Sequence, residues 1–285
     1  TRPKPKRQEA VRRAAIVETM KAKRTSVDVT VTAMGTVVPA ERIVVQPQVS
    51  GRIIWQNPKL VPGGILKEDE ELVRIDPRDY KYLAEQREAA VERAEFELRV
   101  EEGRQTVASR EWELLRPEQG KDKPSADLAL RKPHIKNLRA AKRAAESALK
   151  EAKLKIERTT IKVPFNALVQ DEDADDGQIV SPQSRIATLV GTDRFWVRAS
   201  VPVDRLPWIK IPDVNGEEGS KATVIHDMGG GVQTVRQATV TRLMGDLDAA
   251  GRMARVLLTV EDPLSLKNGN EKLPLLIGAY VRVEI

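Results

Sequence analysis

Alternation of apolar and polar residues near the start of the chain predicts a β-strand. Valine occupies every second position from Val27 to Val31, and polar residues fill the positions between. A period of two is that of a strand with one buried face. Gly35 and Pro39 interrupt the pattern, and Ile43 begins a further strand. We therefore predict that this part of the chain is β-structure.

Two similar segments, 45–76 and 161–190, flank a long charged region. Each contains a strand entered through a proline, a turn with glycine, and two further strands. Neither segment is long enough to bury a core alone, so we predict that they combine into one small β-domain. The charged region would be looped out of that domain as a rod, which is a mechanical arrangement rather than a catalytic one.

The charged region shows helical periodicity. Between Arg78 and Arg116 it has one glycine and no proline, and Asp76 and Pro77 suit the start of a helix. At about 1.5 Å per residue this helix would reach about 55 Å. Its predicted apolar seam consists of Leu83, Ala90, Ala94, Leu98, Val107, Trp112 and Leu115.

A second helix is predicted after a turn marked by Pro117, Gly120 and Pro124. Ser125 is its expected N-cap, and Pro133 should kink or break its first part. Two long helices joined by a turn indicate an antiparallel coiled-coil hairpin, whereas an ordinary helical bundle would need a third long amphipathic helix. The predicted seam has heptad-like spacing and consists of Leu138, Ala141, Ala145, Leu149, Ala152 and Ile156.

The residues after Val190 again predict strands. Several short strands separated by turn residues, such as Asn215-Gly216, favour a small barrel. A short helix is expected over Val203–Ile209. The candidate strands are 195–201, 222–225, 232–243, 254–260 and 279–285.

Composition favours an elongated molecule, because 32% of the residues are charged and only 4% are aromatic.

The net charge is +6, and much of the excess lies in the first 24 residues. A basic segment suits anionic lipid or nucleic acid, but this one has no aromatic residue to stack on bases. We interpret it as a solvated leader beside a membrane anchor or beside a cloning boundary. The chain begins at Thr1 and has no apolar run of about 18 residues, so we expect the anchor in a missing N-terminal segment.

Few residues suit catalysis or metal binding. The chain has no cysteine, and its two histidines, His134 and His226, are far apart in sequence, so we predict neither a zinc site nor a catalytic dyad. The acidic stretch 171–177 has Asp176 where a calcium loop needs glycine, and we interpret it as a solvated turn. Gly229–Gly231 precedes a strand, so it is a hairpin turn rather than a phosphate loop. We predict no catalytic, cofactor-binding or metal-binding residue.

The two β-segments together resemble a biotinyl- or lipoyl-type domain. Carrier enzymes with such a domain have a modified lysine in a tight hairpin between the halves. A helical hairpin occupies that connection here, and neither a Met-Lys-Met nor an Asp-Lys-Ala turn occurs. The resemblance therefore disfavours a carrier of acyl or carboxyl groups, which stays an alternative.

A split lipoyl-like domain, an inserted α-hairpin and a following β-barrel resemble the periplasmic adaptor subunits, or membrane fusion proteins, of Gram-negative tripartite efflux pumps. The matching stretches are 47–53, 61–64, 154–165 and 276–285. The resemblance covers residues 27–285 and implies a mainly β, elongated protein. It divides the chain into a basic segment with partial membrane-proximal strands (1–33), a lipoyl-like domain (43–76 plus 160–190), a hairpin (77–159) and a barrel (34–42 plus 191–285), and the remainder of the membrane-proximal domain would be missing.

The resemblance also implies a function. It predicts a non-enzymatic protein without cofactors, located in the periplasm and attached to the inner membrane. Its partners would be a resistance-nodulation-division (RND) transporter, a TolC-type outer-membrane channel and further copies of itself, as a trimer or hexamer. In such adaptors an Arg, a Leu four positions later and a Ser in the turn dock on the channel. The matching residues are Arg110, Leu114 and Ser125; the alternative is an ordinary i, i+4 pair of Arg110 and Leu114.

Three further interpretations stay open. An ABC exporter or a type I secretion system could replace the RND transporter, although the hairpin is short for type I secretion. The chain could also be a coiled-coil protein that binds nucleic acid through its basic segment. Salt-dependent DNA binding that requires residues 1–24 would distinguish this last interpretation.

Overall fold

The computed structural model describes residues 29–115, 126–248, 251–267 and 273–285, together with Glu18, Met20 and Lys21. The rest of the basic segment, the first part of the valine alternation, the predicted turn and the Ser125 cap lie outside these residues. Within them, the protein is mainly β with a long helical hairpin, as predicted. The strands are β1 (Thr32–Pro39), β2 (Arg42–Val45), β3 (Gly51–Gln56), β4 (Ile65–Leu66), β5 (Glu71–Ile75), β6 (Thr160–Lys162), β7 (Ala167–Glu172), β8 (Ile179–Val180), β9 (Ala187–Gly191), β10 (Arg194–Val201), β11 (Lys221–Asp227), β12 (Gln233–Leu247), β13 (Ala254–Glu261) and β14 (Tyr280–Glu284).

Six strands close into an antiparallel barrel with the order β1-β10-β13-β12-β11-β14. Alternate residues face its interior, where Phe195 and Leu258 are fully buried. The predicted short helix is present as a 3-10 helix over Val203–Trp208. β12 has two register shifts against β13, and such bulges bend a strand and help to close a barrel.

The barrel extends further toward the N-terminus than we expected. We assigned residues up to 33 to a membrane-proximal domain, but β1 begins at Thr32 and pairs with β14. The Val31 amide donates to the Ile285 carbonyl over 2.8 Å, and Val31 and Ala33 are buried in the barrel core. The alternation that predicted a strand continues through β1, so pairing with the last strand extends to these residues.

The two β-segments form one domain made of two four-stranded sheets. Their orders are β2-β9-β7-β4 and β6-β5-β3-β8, so each sheet takes two strands from each segment. One core combines Ile53 and Leu72 of the first segment with Val163 and Leu189 of the second. β5, which precedes the insertion, pairs with β6, which follows it, so the insertion leaves and re-enters the domain at neighbouring positions.

The insertion forms an antiparallel pair of helices, α1 (Arg78–Leu115) and α3 (Lys132–Glu157), with a short helix α2 (Ala126–Ala129) before α3. Pro133 lies in the first turn of α3, and Arg131 just before it has a left-handed φ of 56°. The predicted break at Pro133 is therefore present, because proline fits a first helical turn but not a helix interior. None of the described helices is long and apolar enough to cross a bilayer.

The seam between the helices differs in part from the predicted one. In α3 the inward positions follow alternating steps of three and four from Ile135, which places Lys142 in the seam and leaves Ala141 exposed. In α1, Ala90 and Val107 are also exposed, whereas Ala84 is buried. Apolar identity alone misled the prediction at these positions, since the 3.5-residue period of a hairpin decides which residues face inward.

Candidate docking site at the hairpin tip

The last two turns of α1 carry Arg110 and Leu114. Both side chains are exposed, Leu114 to 85%. Residues four apart in a helix lie on the same face, so a cation and an apolar side chain stand together at the free end of the hairpin. Ser125, the third predicted docking residue, lies outside the described residues.

The end of α1 projects beyond the start of α3. The Gln105 side-chain amide donates to the Leu130 carbonyl over 3.2 Å, and Arg131 bonds to Glu101. The first residues of α3 are therefore level with positions 101–105 of α1. The following ten residues of α1 extend about 15 Å further, so the Arg110–Leu114 pair lies on a section of α1 that α3 does not cover.

A buried ion pair lies where this section begins. Glu101 is 5% exposed and occupies a seam position of α1. Arg131 donates from Nε to Glu101 Oε1 over 2.6 Å, and Arg104 lies 3.5 Å from the other carboxylate oxygen. The hydrogen bond from Arg131 lowers the pKa of Glu101 and raises the pKa of Arg131, although burial opposes both shifts. The ion pair therefore holds the break before α3, at Arg131, next to Glu101 of α1.

The base of the hairpin is held by the split β-domain. Asp76 accepts the Arg78 amide over 3.1 Å and also binds the Arg78 guanidinium, which lowers the pKa of Asp76. The Tyr80 hydroxyl donates to the Ser50 carbonyl over 2.7 Å. At the other end, the Thr159 hydroxyl donates to the Ile156 carbonyl and terminates α3, and the Thr159 carbonyl accepts the Ile75 amide of β5 over 2.8 Å. Both helices thus leave the β-domain through fixed contacts.

Polar contacts also join the β-domain to the barrel. The Thr192 amide donates to the Asn166 carbonyl over 2.9 Å, and the Asn166 side chain donates to Asp193. Lys267 lies 2.9 Å from the same carboxylate, and its hydrogen bond, together with that of Asn166, lowers the pKa of Asp193. These contacts connect the two β-units next to the chain crossing between Gly191 and Arg194.

The acidic stretch 171–177 forms a turn. Its first two residues end β7, the Asp173 amide donates to the Ile186 carbonyl, and Gly177 has a φ of 82°. The predicted solvated turn is therefore present. Among the described residues, no group of three or more histidine, aspartate or glutamate side chains is placed to hold a metal ion.

Solved structures with the same arrangement identify the fold. A putative efflux transporter from Bacteroides eggerthii is 21% identical, with a TM-score of 0.61 and coverage of 93% of this chain and 72% of the other. A MacA-MexA chimeric protein containing the Pseudomonas aeruginosa MexA α-hairpin is 19% identical, with a TM-score of 0.59 and coverage of 92% and 83%. The membrane fusion protein Spr0693 from Streptococcus pneumoniae is 13% identical, with a TM-score of 0.60 and coverage of 90% and 97%. This chain has the periplasmic adaptor, or membrane fusion protein, fold.

Sequence similarity to curated proteins is local. The nodulation protein NolF of Rhizobium meliloti is 24% identical over 135 residues, and a UPF0194 membrane protein of Acidithiobacillus ferridurans is 30% identical over 103 residues. The matched stretches cover 47% and 35% of this chain but only 34% and 28% of those proteins. No protein-family profile matches the chain.

The resemblance named Arg110 and Leu114 at the end of α1, but nothing in the sequence analysis named the pair of Glu101, which is buried, with Arg131. A signal for that pair was available. Seven residues after Ala94, a seam residue, comes Glu101, where a hairpin seam would normally have an apolar side chain. A charge at such a position indicates a partner across the seam.

Proposed function

We propose that this chain is the adaptor of a tripartite efflux pump, joining an inner-membrane RND transporter to a TolC-type outer-membrane channel without catalysing a reaction. The observation that carries the proposal is a long hairpin, fixed at its base by a split β-domain, with Arg110 and Leu114 exposed at its free end. The adaptor fold supports it. An exported compound would pass through a conduit formed by three or six copies.

The geometry suggests how such an adaptor would work. The β-domain receives both helices through Asp76, Tyr80 and Thr159, so a rotation of that domain turns the whole hairpin. The barrel would move with that domain, because the hydrogen bond from Asn166 to Asp193 joins the two. A movement started at the transporter would therefore reach the tip as a rigid displacement and change how Arg110 and Leu114 meet the channel. The protein would act in the periplasm of a Gram-negative bacterium, anchored to the inner membrane through a segment outside the described residues.

Cysteine cross-linking in intact cells tests the docking step. The chain has no cysteine of its own, so Arg110→Cys and Leu114→Cys each supply one reactive thiol. We expect both to cross-link to the outer-membrane channel in cells that export a fluorescent pump substrate. Gln86→Cys, exposed about 36 Å from Arg110 toward the base of α1, is the control and should not cross-link. Absence of channel adducts at both positions in exporting cells would refute tip docking.

The energy source distinguishes the transporter classes. Export by an RND partner should stop when a protonophore collapses the proton gradient while cellular ATP is maintained. Export that follows ATP and resists the protonophore would instead indicate an ABC exporter. Purification of the complex from detergent-solubilised membranes would identify the transporter that accompanies the adaptor.

A further inference from the structure

A groove runs along one side of the helical hairpin, between α1 and α3. Its volume is about 650 Å³, which is in the range of sites that hold drug-sized ligands. α3 lines it from Lys132 to Glu146, a span of about 21 Å at 1.5 Å per residue. α1 contributes Leu98 and Gln105. The groove is separate from the exposed pair at the tip, and neither the docking step nor the rigid movement of the hairpin uses it.

The floor of the groove is apolar. Ile135 of α3 is buried, and Leu98 of α1 is half-buried. Glu95 lies 3.6 Å from Lys142 across the seam, and Leu98 follows Glu95 by nearly one turn toward the tip. Leu98 is therefore level with the middle of the groove. The aliphatic stems of the surrounding lysines and arginines extend this apolar surface.

The wall of the groove is cationic. Five of its side chains are basic and only one is acidic. Three of the five cations already have carboxylate partners, in the pairs Lys132–Asp127, Arg139–Glu102 and Lys142–Glu95. The other two, Lys136 and Arg143, form no ion pair with any residue that the structure describes. They are seven positions apart, so they share one face of α3 about 10 Å from each other, on either side of the level of Leu98.

We infer that this groove binds an amphipathic organic anion. The apolar body of the ligand covers Leu98 and Ile135, and its carboxylate, sulfonate or phosphate group pairs with Lys136 or Arg143. The ligand thereby removes apolar surface from water and supplies the charge that these cations lack within the chain. In an efflux adaptor the groove would hold exported compounds of this class at the hairpin. That role rests on the proposed function, whereas the binding itself does not.

Other anions fit the groove less well. A small inorganic ion needs donors that converge on one point, but Lys136 and Arg143 are about 10 Å apart along α3. A single-stranded nucleic acid stacks its bases on aromatic side chains, and none of the described side chains that line the groove is aromatic. An acidic helix of a second copy could supply carboxylates, and the experiment below includes this occupant as an outcome.

Two dyes with the same ring system test the inference. Anilinonaphthalene sulfonate is an amphipathic anion that fluoresces when it leaves water, and phenylnaphthylamine is its neutral counterpart. Titration of the dilute full chain with each dye gives both affinities. We expect Lys136→Gln/Arg143→Gln to weaken binding of the sulfonate dye about fivefold, since two exposed charge contacts are lost. Binding of the neutral dye should not change.

Lys150→Gln/Lys153→Gln is the matched control. These two lysines are also exposed on α3 and form no ion pair among the described residues, but they lie outside the groove. This variant loses the same net charge, so it should bind both dyes as the unaltered protein does. Raising the salt concentration should weaken binding of the sulfonate dye to the unaltered protein, because salt screens exposed charges.

Energy transfer from tryptophan locates the bound dye. Trp112 lies seven residues beyond Gln105, about 10 Å further along α1, and transfer falls steeply with distance. Trp112→Phe should therefore remove most of the emission that tryptophan excitation produces in the bound sulfonate dye. Trp208→Phe is the control, because Trp208 lies in the 3-10 helix that follows barrel strand β10, and it should remove little.

Three results would overturn the inference. Equal affinity of the sulfonate dye for the groove variant and the control variant would place the dye elsewhere. An equal loss of neutral-dye binding in the groove variant would show that the cations do not select the anion. Dye emission that falls as the protein dimerises in sedimentation experiments would assign the groove to a second copy. None of these results affects the cross-links of Arg110→Cys and Leu114→Cys to the channel, and loss of those cross-links with normal dye binding would refute the proposed function alone.

Discussion

The barrel and the hairpin bury their residues in different ways. In the barrel every second residue of a strand enters a closed interior, as Phe195, Val197 and Ala199 do on β10. In α1 and α3, among the side chains the structure describes, only Ala84, Glu101, Ile135 and Ala152 are buried, and one of these is charged. A closed sheet buries one face of each of its strands. A two-helix hairpin has only one narrow seam, and its other faces are exposed to water or to partners. The barrel, with its buried interior, therefore suits a supporting role, whereas the exposed hairpin suits contacts with partners.

The largest expected effect tests this difference with two phenylalanines. Phe195 is fully buried in the barrel, and Phe96 is 65% exposed on α1. Phe195→Ala should lower the free energy of unfolding by about 3–5 kcal/mol, because it leaves a cavity in a packed core. Phe96→Ala should change it by no more than about 0.5 kcal/mol, as for other surface positions. Urea unfolding of dilute, monomeric protein measures both, and equal losses would contradict the contrast.

An intermediate effect is expected at Glu101, the charged residue in the hairpin seam. The pKa of Glu101 is lowered in the folded protein, so its stabilising contribution is present above the ordinary glutamate pKa and is lost as pH falls through the lowered value. Glu101→Gln should loosen the start of α3 at neutral pH and remove this acid-dependent step. The measurement is the hydrogen-exchange protection of the amides of residues 135–138, the first that are bonded within α3, between pH 7 and pH 3.

Glu102→Gln is the matched control for that prediction. Glu102 pairs with Arg139 over 3.1 Å, but both side chains are largely exposed, and exposed ion pairs contribute little. Exchange in this variant should resemble that of the unaltered protein. If both variants behave alike, the buried position of Glu101 has no special role in holding the break before α3.

The smallest effect compares two glycines. Gly103 lies inside α1 with open space around it, so Gly103→Ala should stabilise the helix by about 1 kcal/mol. Gly35 lies in β1, and a Cβ there would come within 2.9 Å of the Arg198 carbonyl oxygen. Gly35→Ala should therefore destabilise the barrel. Thermal unfolding followed by circular dichroism at 222 nm compares the two variants. A loss of stability in Gly103→Ala would mean that α1 is more closely packed than its exposed surface indicates.

Much of the architecture followed from patterns in the sequence. Short apolar stretches separated by turn residues predicted the barrel strands, as in 195–201, and the long proline-free stretch after Arg78 predicted α1. Pro133 correctly indicated the break before α3. At the candidate docking site, the resemblance to adaptor subunits named Arg110 and Leu114, and the structure shows both side chains exposed on α1.

The errors have a common cause. Ala141 was predicted in the seam and Lys142 was not, although Lys142 lies there with its ammonium group 3.6 Å from Glu95. Likewise, Val107 was assigned to the seam and is exposed. A helix with apolar residues on two faces does not reveal by itself which face meets the partner. The partner helix decides, because only its position sets the direction in which each side chain can be buried.

The sequence by itself determined the kinds of elements, their order and the places where they break, since period, proline and glycine act over a few neighbouring residues. Long-range contacts set the order of the strands in the two sheets that the β-segments share, the inclusion of Val31 in the barrel and the pairing of Glu101 with Arg131. These depend on contacts between residues far apart in the chain. These contacts are strong because they exclude water, and no local sequence pattern specifies the positions at which they form.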